Sequence, residues 1–366
     1  MADDYPKTTA GGYNHDIIVT EEFLSRHSSL QGVLKFAALE KYFAEYNGKT
    51  CAAKKTWNIV STAALLLGVV AVLGVLSEIS APALGSHLPL AAIIAVEVSA
   101  LLSLVLFLVA RFGRFRLSYV NNCFARERLR HLRFQVFVDG PFTERLAAGD
   151  QQAAATLHNE LSDLLEQFKD LSGSRQVFEK NISSSDRLIF TPKAYTDPGV
   201  AEAVYKALKV IRVNHQLSYS ERRLDEEPED RPLALKEHVH WSEAASKWCL
   251  AVAIIVPVMQ LMTIVLAKDI THGYTGALHI SLSTFAVAMA CISAGVRSYQ
   301  TGTGAAAEID SYEIYVSHLE GIREQFFHSK KDSRGMVLAL RDLELEAERE
   351  LRRFLKIKRK ASFLFS

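Results

Sequence analysis

Four uninterrupted apolar stretches decide what this chain can fold into: residues 58–76, 88–110, 249–267 and 276–296. Each is long enough for an α-helix to cross a hydrocarbon core of roughly 30 Å. Inside a bilayer every backbone N–H and C=O must find its partner within the protein, and a lone helix does this by itself. The stretches pair into two hairpins, 57–110 and 248–296, each closed by a short turn, 77–87 and 268–275. The expected fold class is therefore all-α, a polytopic membrane protein with four transmembrane helices in two hairpins, extended by long cytosolic helices.

The charges beside the spans orient them. Lys49, Lys54 and Lys55 precede the first hairpin and Arg111, Arg114 and Arg116 follow it; Lys236 and Lys247 precede the second and Arg297 follows it. Of the two turns, only the second carries a basic residue, Lys268. Basic residues favour the cytoplasmic side, so both termini and the central segment are expected in the cytoplasm. The polar, acidic start of the sequence has no signal-peptide pattern, which leaves insertion to the spans.

Both hairpins open alike. Ala52-Ala53-Lys54-Lys55-Thr56-Trp57 leads into the first and Ala244-Ala245-Ser246-Lys247-Trp248 into the second. Trp57, Trp248, Lys54, Lys55 and Lys247 are thus expected at the membrane interface, where amphipathic rings and lysines settle. The matching entries suggest a duplicated unit, although interfaces favour such residues in any case. After each hairpin an apolar stripe continues at helical spacing, Leu117, Val120, Phe124, Leu129, Leu132 and Phe137 in the first copy. Ile309, Tyr312, Val316, Leu319, Ile322 and Phe326 do the same in the second. These predict long cytosolic stalks.

The remaining organisation is read from punctuation and charge. Segments 1–56 and 111–223 read as cytosolic and helical, the latter with helices over 150–171 and from Pro198 to about Ser220. Residues 182–192 read as a loop with at most one short strand. An acidic, proline-broken linker and a pre-membrane helix occupy 224–247, a second stalk 297–328, and a charged amphipathic helix with a basic tail 329–366. That last helix either rests on an anionic leaflet or packs against the stalks.

Composition excludes several functions. The net charge of +1 leaves no footprint for nucleic acid. The four cysteines lack metal-site spacing, and the sequence contains no P-loop, G-x-S-x-G or H-E-x-x-H motif. No enzyme and no cofactor are expected. Glu97 is the sharpest candidate, a carboxyl in the middle of a span, where it needs a partner, a proton or water. It either lines a permeation path, as a ring or relay, or is structural glue bonded to polar residues of the other spans, Gln260 and Thr263 among them. Pro257 removes a backbone donor near Gln260 and marks either a gate or an ordinary membrane-helix proline. Arg126, Arg128, Arg130 and Arg133 form a cluster that either contacts an anionic ligand or pairs with acidic neighbours.

The order of cytosolic helix, Lys-Trp junction, two-span hairpin and a helix bearing Arg126-Glu127-Arg128-Leu129-Arg130 resembles the SLATT families of bacterial two-span effectors. The segment from Val239-His240-Trp241 through Trp248 to Tyr312, Tyr315 and Leu319 looks like a second copy, so the resemblance covers residues 25–330. It implies a bacterial inner-membrane effector that oligomerises and forms a pore or disrupts the bilayer in a nucleotide-signalled anti-phage system. Its partners would be the lipid bilayer, further copies of itself, and a separate cytosolic sensor or nucleotide-producing enzyme. A constitutive ion channel or small transporter, and a scaffold that recruits cytosolic partners, are the alternatives.

Overall fold

A computed structural model describes residues 16–81, 89–112, 115–170, 188–225, 235–266, 275–330 and 332–360. The described residues are helical throughout, with no strand among them beyond an isolated bridge between Asp139 and Lys193. Four helices are long and apolar enough to cross a membrane, which makes this a multi-pass membrane protein. The chain divides into two compact units, one of Met1–Ala52, Leu117–Ala234 and Ala307–Lys358, the other of Ala53–Arg116, Leu235–Ala306 and Arg359–Ser366. The acidic linker and both hairpin turns lie largely outside the described residues.

The membrane unit contains the apolar end of α3 (Ala37–Ser80), then α4 (Leu90–Phe112), α10 (Leu235–Leu266) and α11 (Thr275–Thr303). Lipid gives no hydrophobic drive between helices, so small residues and hydrogen bonds set their approach. In the first hairpin Gly68 faces Ser103, whose Oγ donates to the Ala64 carbonyl at 2.8 Å, and a methyl at Gly74 would enter the Val96 side chain. In the second, Ser246 and Ser293 bond at 3.0 Å, Arg297 Nε donates to Ser246 at 3.3 Å, and Gln300 donates to Ser242 at 2.7 Å. Gly295 lies against Val69, which joins α11 to α3.

Span boundaries differ from expectation in a consistent way. α3 starts at Ala37, twenty residues before Trp57, and α10 starts at Leu235 rather than at the membrane edge. Polar helix and span are one continuous helix, because good helix formers on both sides of each junction leave nothing to break it. Of the expected helical segment 1–56, the described residues give α1, α2 and the first twenty residues of α3. After α11 the chain does break, at Gly304 with φ 65°, before α12 (Ala305–His328).

The other unit is an aqueous helical domain. It comprises α1 (Glu21–Arg26), α2 (Gln31–Leu34), the start of α3, α5 (Phe115–Gln135), α6 (Gly140–Ala147), α7 (Gln151–Asp170), α8 (Pro198–Leu208), α9 (His215–Asp225), α12 and α13 (Ser333–Lys360). A π-helical segment, Lys209–Asn214, joins α8 to α9. Aspartates start three of these helices: Asp139 caps α6, Asp150 caps α7 and Asp197 caps α8, each accepting from backbone N–H groups of the first turn. Gly140 sits where the 193–195 strand of chain crosses, with an added Cβ only 2.6 Å from the Tyr195 nitrogen.

The expected stalks are the core of this domain. Leu129, Leu132, Phe137 and Phe326 are fully buried, with Leu34, Leu39, Phe43 and Leu208 around them. The apolar face of α13 is occupied as well: Leu340, Leu343, Ala347, Leu351 and Leu355 are buried, and Phe354 packs edge-on to Tyr119. Of the two placements open for that helix, the structure takes packing against protein. The tail beyond Lys360 lies outside the described residues.

Candidate functional site

Two regions hold the polar groups that a simple membrane anchor would not need. The first is the arginine cluster. α5 turns Arg126, Arg128, Arg130 and Arg133 into the aqueous domain, where each meets a carboxylate. Arg126 and Arg130 clasp Glu127 at 2.6 and 2.5 Å, and Arg130 also reaches Asp16 at 2.9 Å. Arg128 pairs with Glu348 at 3.1 Å, and Arg133 with Glu40 at 3.3 Å and with the Leu34 carbonyl. Of the two readings of this cluster, pairing with acidic residues is the one the described contacts show.

One of these partners, Glu348, comes from the acidic run of α13, which the sequence does not connect to α5. Glu344 accepts from Arg212 at 2.7 Å and meets His131 at 3.1 Å, while Glu348 takes Arg128. Arg212 belongs to the π-helical segment, is almost wholly buried, and has its guanidinium carbon over the Phe134 ring, 4.3 Å from the centroid.

Further along, Glu308 bonds Lys358 and takes Arg223 at 3.3 Å, both within the same domain. Burial, then the charges of Glu127 and Glu308, push the Glu350 carboxyl up to about 8 despite Arg353 and Arg223. Glu127 goes the other way. Burial alone would raise it, but Arg130 and Arg126 outweigh that and bring it down to about 2. Burial likewise holds the Tyr119, Tyr312 and Tyr315 hydroxyls above their ordinary range. Tyr315 donates to Gln216 at 3.2 Å.

The second region is the middle of the membrane unit. Glu97 lies on the exposed side of α4 and has no hydrogen bond or ion pair among the described residues. Ser103, two turns along on the other side, is turned toward α3. The expected partners in α10 are not brought to it in any described contact, and the side chains of Gln260 and Thr263 lie outside the described residues. Pro257 is exposed, and α10 remains helical through it.

The matching junction residues are not equivalent in space. Trp248 is 71% exposed, and Lys247 beside it pairs with Glu243 at 3.1 Å. Trp57, by contrast, is 7% exposed. Lys55 is exposed and Lys54 half-buried. The Ser242–Gln300 and Ser246–Ser293 contacts had no sequence signal stronger than serine at helical spacing.

Fold and site together define an all-α, four-span membrane protein with an ion-paired aqueous helical domain. No protein-family model, curated protein or solved structure matches the chain.

Proposed function

We propose that this chain is a non-enzymatic membrane effector of the SLATT type, which assembles in the bacterial inner membrane into a pore or membrane-disrupting complex. Both termini are cytoplasmic in this reading. A separate cytosolic sensor or nucleotide-producing enzyme supplies the trigger, as part of an anti-phage defence system. The observation that carries it is Glu97, exposed on α4 without a partner among the described residues. A carboxylate directed at lipid costs roughly 2.5–3.5 kcal/mol on insertion scales, and facing a lumen or other copies removes that cost. Pro257 and Gln260 are the further candidates for gating.

The test is induction of the full chain in bacterial cells with a potential-sensitive dye, alone and with candidate partner genes. Collapse of the membrane potential on triggering is expected; polarisation that stays intact under every triggering condition sinks the reading. Permeation without any trigger would instead mark a constitutive channel or small transporter. Activity that survives replacement of both hairpins by unrelated spans would mark a scaffold.

A further inference from the structure

The exposed side of α4 carries a pattern that lipid does not require. Leu90, Ile94, Glu97, Leu101, Leu104 and Leu108 succeed one another at spacings of four and three, which is the a/d repeat of a coiled-coil seam. The five apolar members are between 42% and 72% exposed. The opposite side of the helix is taken: Val96 and Ser103 face Gly74 and Gly68 of α3. The seam runs for about 27 Å, close to the thickness of the hydrocarbon core, and Glu97 falls in its middle third.

An apolar stripe alone would be satisfied by acyl chains. Glu97 is what lipid cannot satisfy, and among the described residues nothing in the same chain satisfies it either. A partner must offer a polar group at the same depth. A second copy does so automatically, since every copy inserts with the same orientation and brings its own Glu97 to that level. We propose that α4 is the assembly surface of the protein: α4 helices of neighbouring copies pack in parallel around a shared axis, along this seam. The Glu97 carboxyls then converge and hydrogen-bond to one another. A polar residue at one seam position also fixes the register, because any slip would set it against leucine. This deepens the assembly reading given above and rests on it for the membrane orientation of the copies.

The experiment is oxidative cross-linking of the full chain in native membranes, with Cys51, Cys123, Cys249 and Cys291 replaced by alanine. Single Ile94→Cys, Leu101→Cys and Leu108→Cys variants are expected to form disulfide-linked dimers in several-fold higher yield than Leu102→Cys and Val109→Cys. The two control positions are 44% and 40% exposed but lie off the seam. In the Leu101→Cys background, Glu97→Gln should keep the cross-link and Glu97→Ala should lower it several-fold. Equal yields on and off the seam in well-inserted protein, or a yield indifferent to Glu97→Ala, would overturn the proposal. Cross-linking and depolarisation fail separately. Seam cross-links in cells that stay polarised leave the interface standing and remove the pore, whereas depolarisation without them does the reverse.

Discussion

Glu350 shows how a single side chain records its surroundings. It stands among Glu127 on α5, Glu308 on α12, Arg223 on α9 and Arg353 on its own helix, and burial with the two carboxylates raises it to about 8 from an ordinary 4.5. Between those values the folded protein keeps a proton that the unfolded chain has released, so stability falls as pH rises through that window and levels off above it. Glu350→Gln is expected to match the parent near pH 4.5 and to exceed it at pH 9, on the order of a few kcal/mol. Thermal unfolding in detergent at the two pH values measures this; no gain at pH 9 would mean that Arg223 and Arg353 hold Glu350 ionised. At this scale the sequence was half legible. Four arginines in two turns announced buried or liganded charge, but Glu344 and Glu348, more than two hundred residues away, carry no mark that assigns them to Arg128 and His131. Glu97 was legible outright, because a carboxyl amid apolar residues is anomalous whatever surrounds it.

Helices were easier to read than their ends. Span-length apolar runs and helix starts are local signals: α7 falls where it was expected, and α8 starts at Pro198 as expected but gives way after Leu208 to the π-segment and α9. Continuity is not a local signal. Nothing at Trp57 or Trp248 tells a helix that it has met the bilayer, so α3 and α10 run through, and similar entry sequences gave one buried and one exposed tryptophan. Tight crossings are equally silent. Nothing in the sequence singles out Gly140, yet the chain at 193–195 rests directly on it, with Gly140 N donating to the Lys193 carbonyl at 2.9 Å. Since the obstruction is backbone rather than a movable side chain, Gly140→Ala is expected to destabilise the aqueous domain by about 1–3 kcal/mol. Chemical denaturation followed by tryptophan-independent circular dichroism checks it, and an unchanged midpoint would show that the crossing can shift.

Across the whole molecule, the aqueous domain is assembled from three separated stretches of chain, between which the two pairs of spans are threaded. Its last component, α13, supplies the carboxylates for Arg128, His131 and Arg212 and the lysine for Glu308. Removing one partner of a buried pair leaves an uncompensated charge, at a cost of roughly 3–5 kcal/mol per pair. A chain ended before Ser333 is therefore expected to insert its spans yet leave the aqueous domain open to protease, which limited proteolysis of membranes would detect. Full protection of the shortened chain would show that α13 only decorates the domain.

The place of α13 in the chain order also sets a timetable for synthesis. Arg128 of α5 precedes its partner Glu348 by 220 residues, so at roughly 5–20 residues per second the ribosome leaves that cation waiting for on the order of 10–40 s. All four spans leave the ribosome within or before that interval. The newborn protein thus has its spans ready for the bilayer while its aqueous domain is still incomplete.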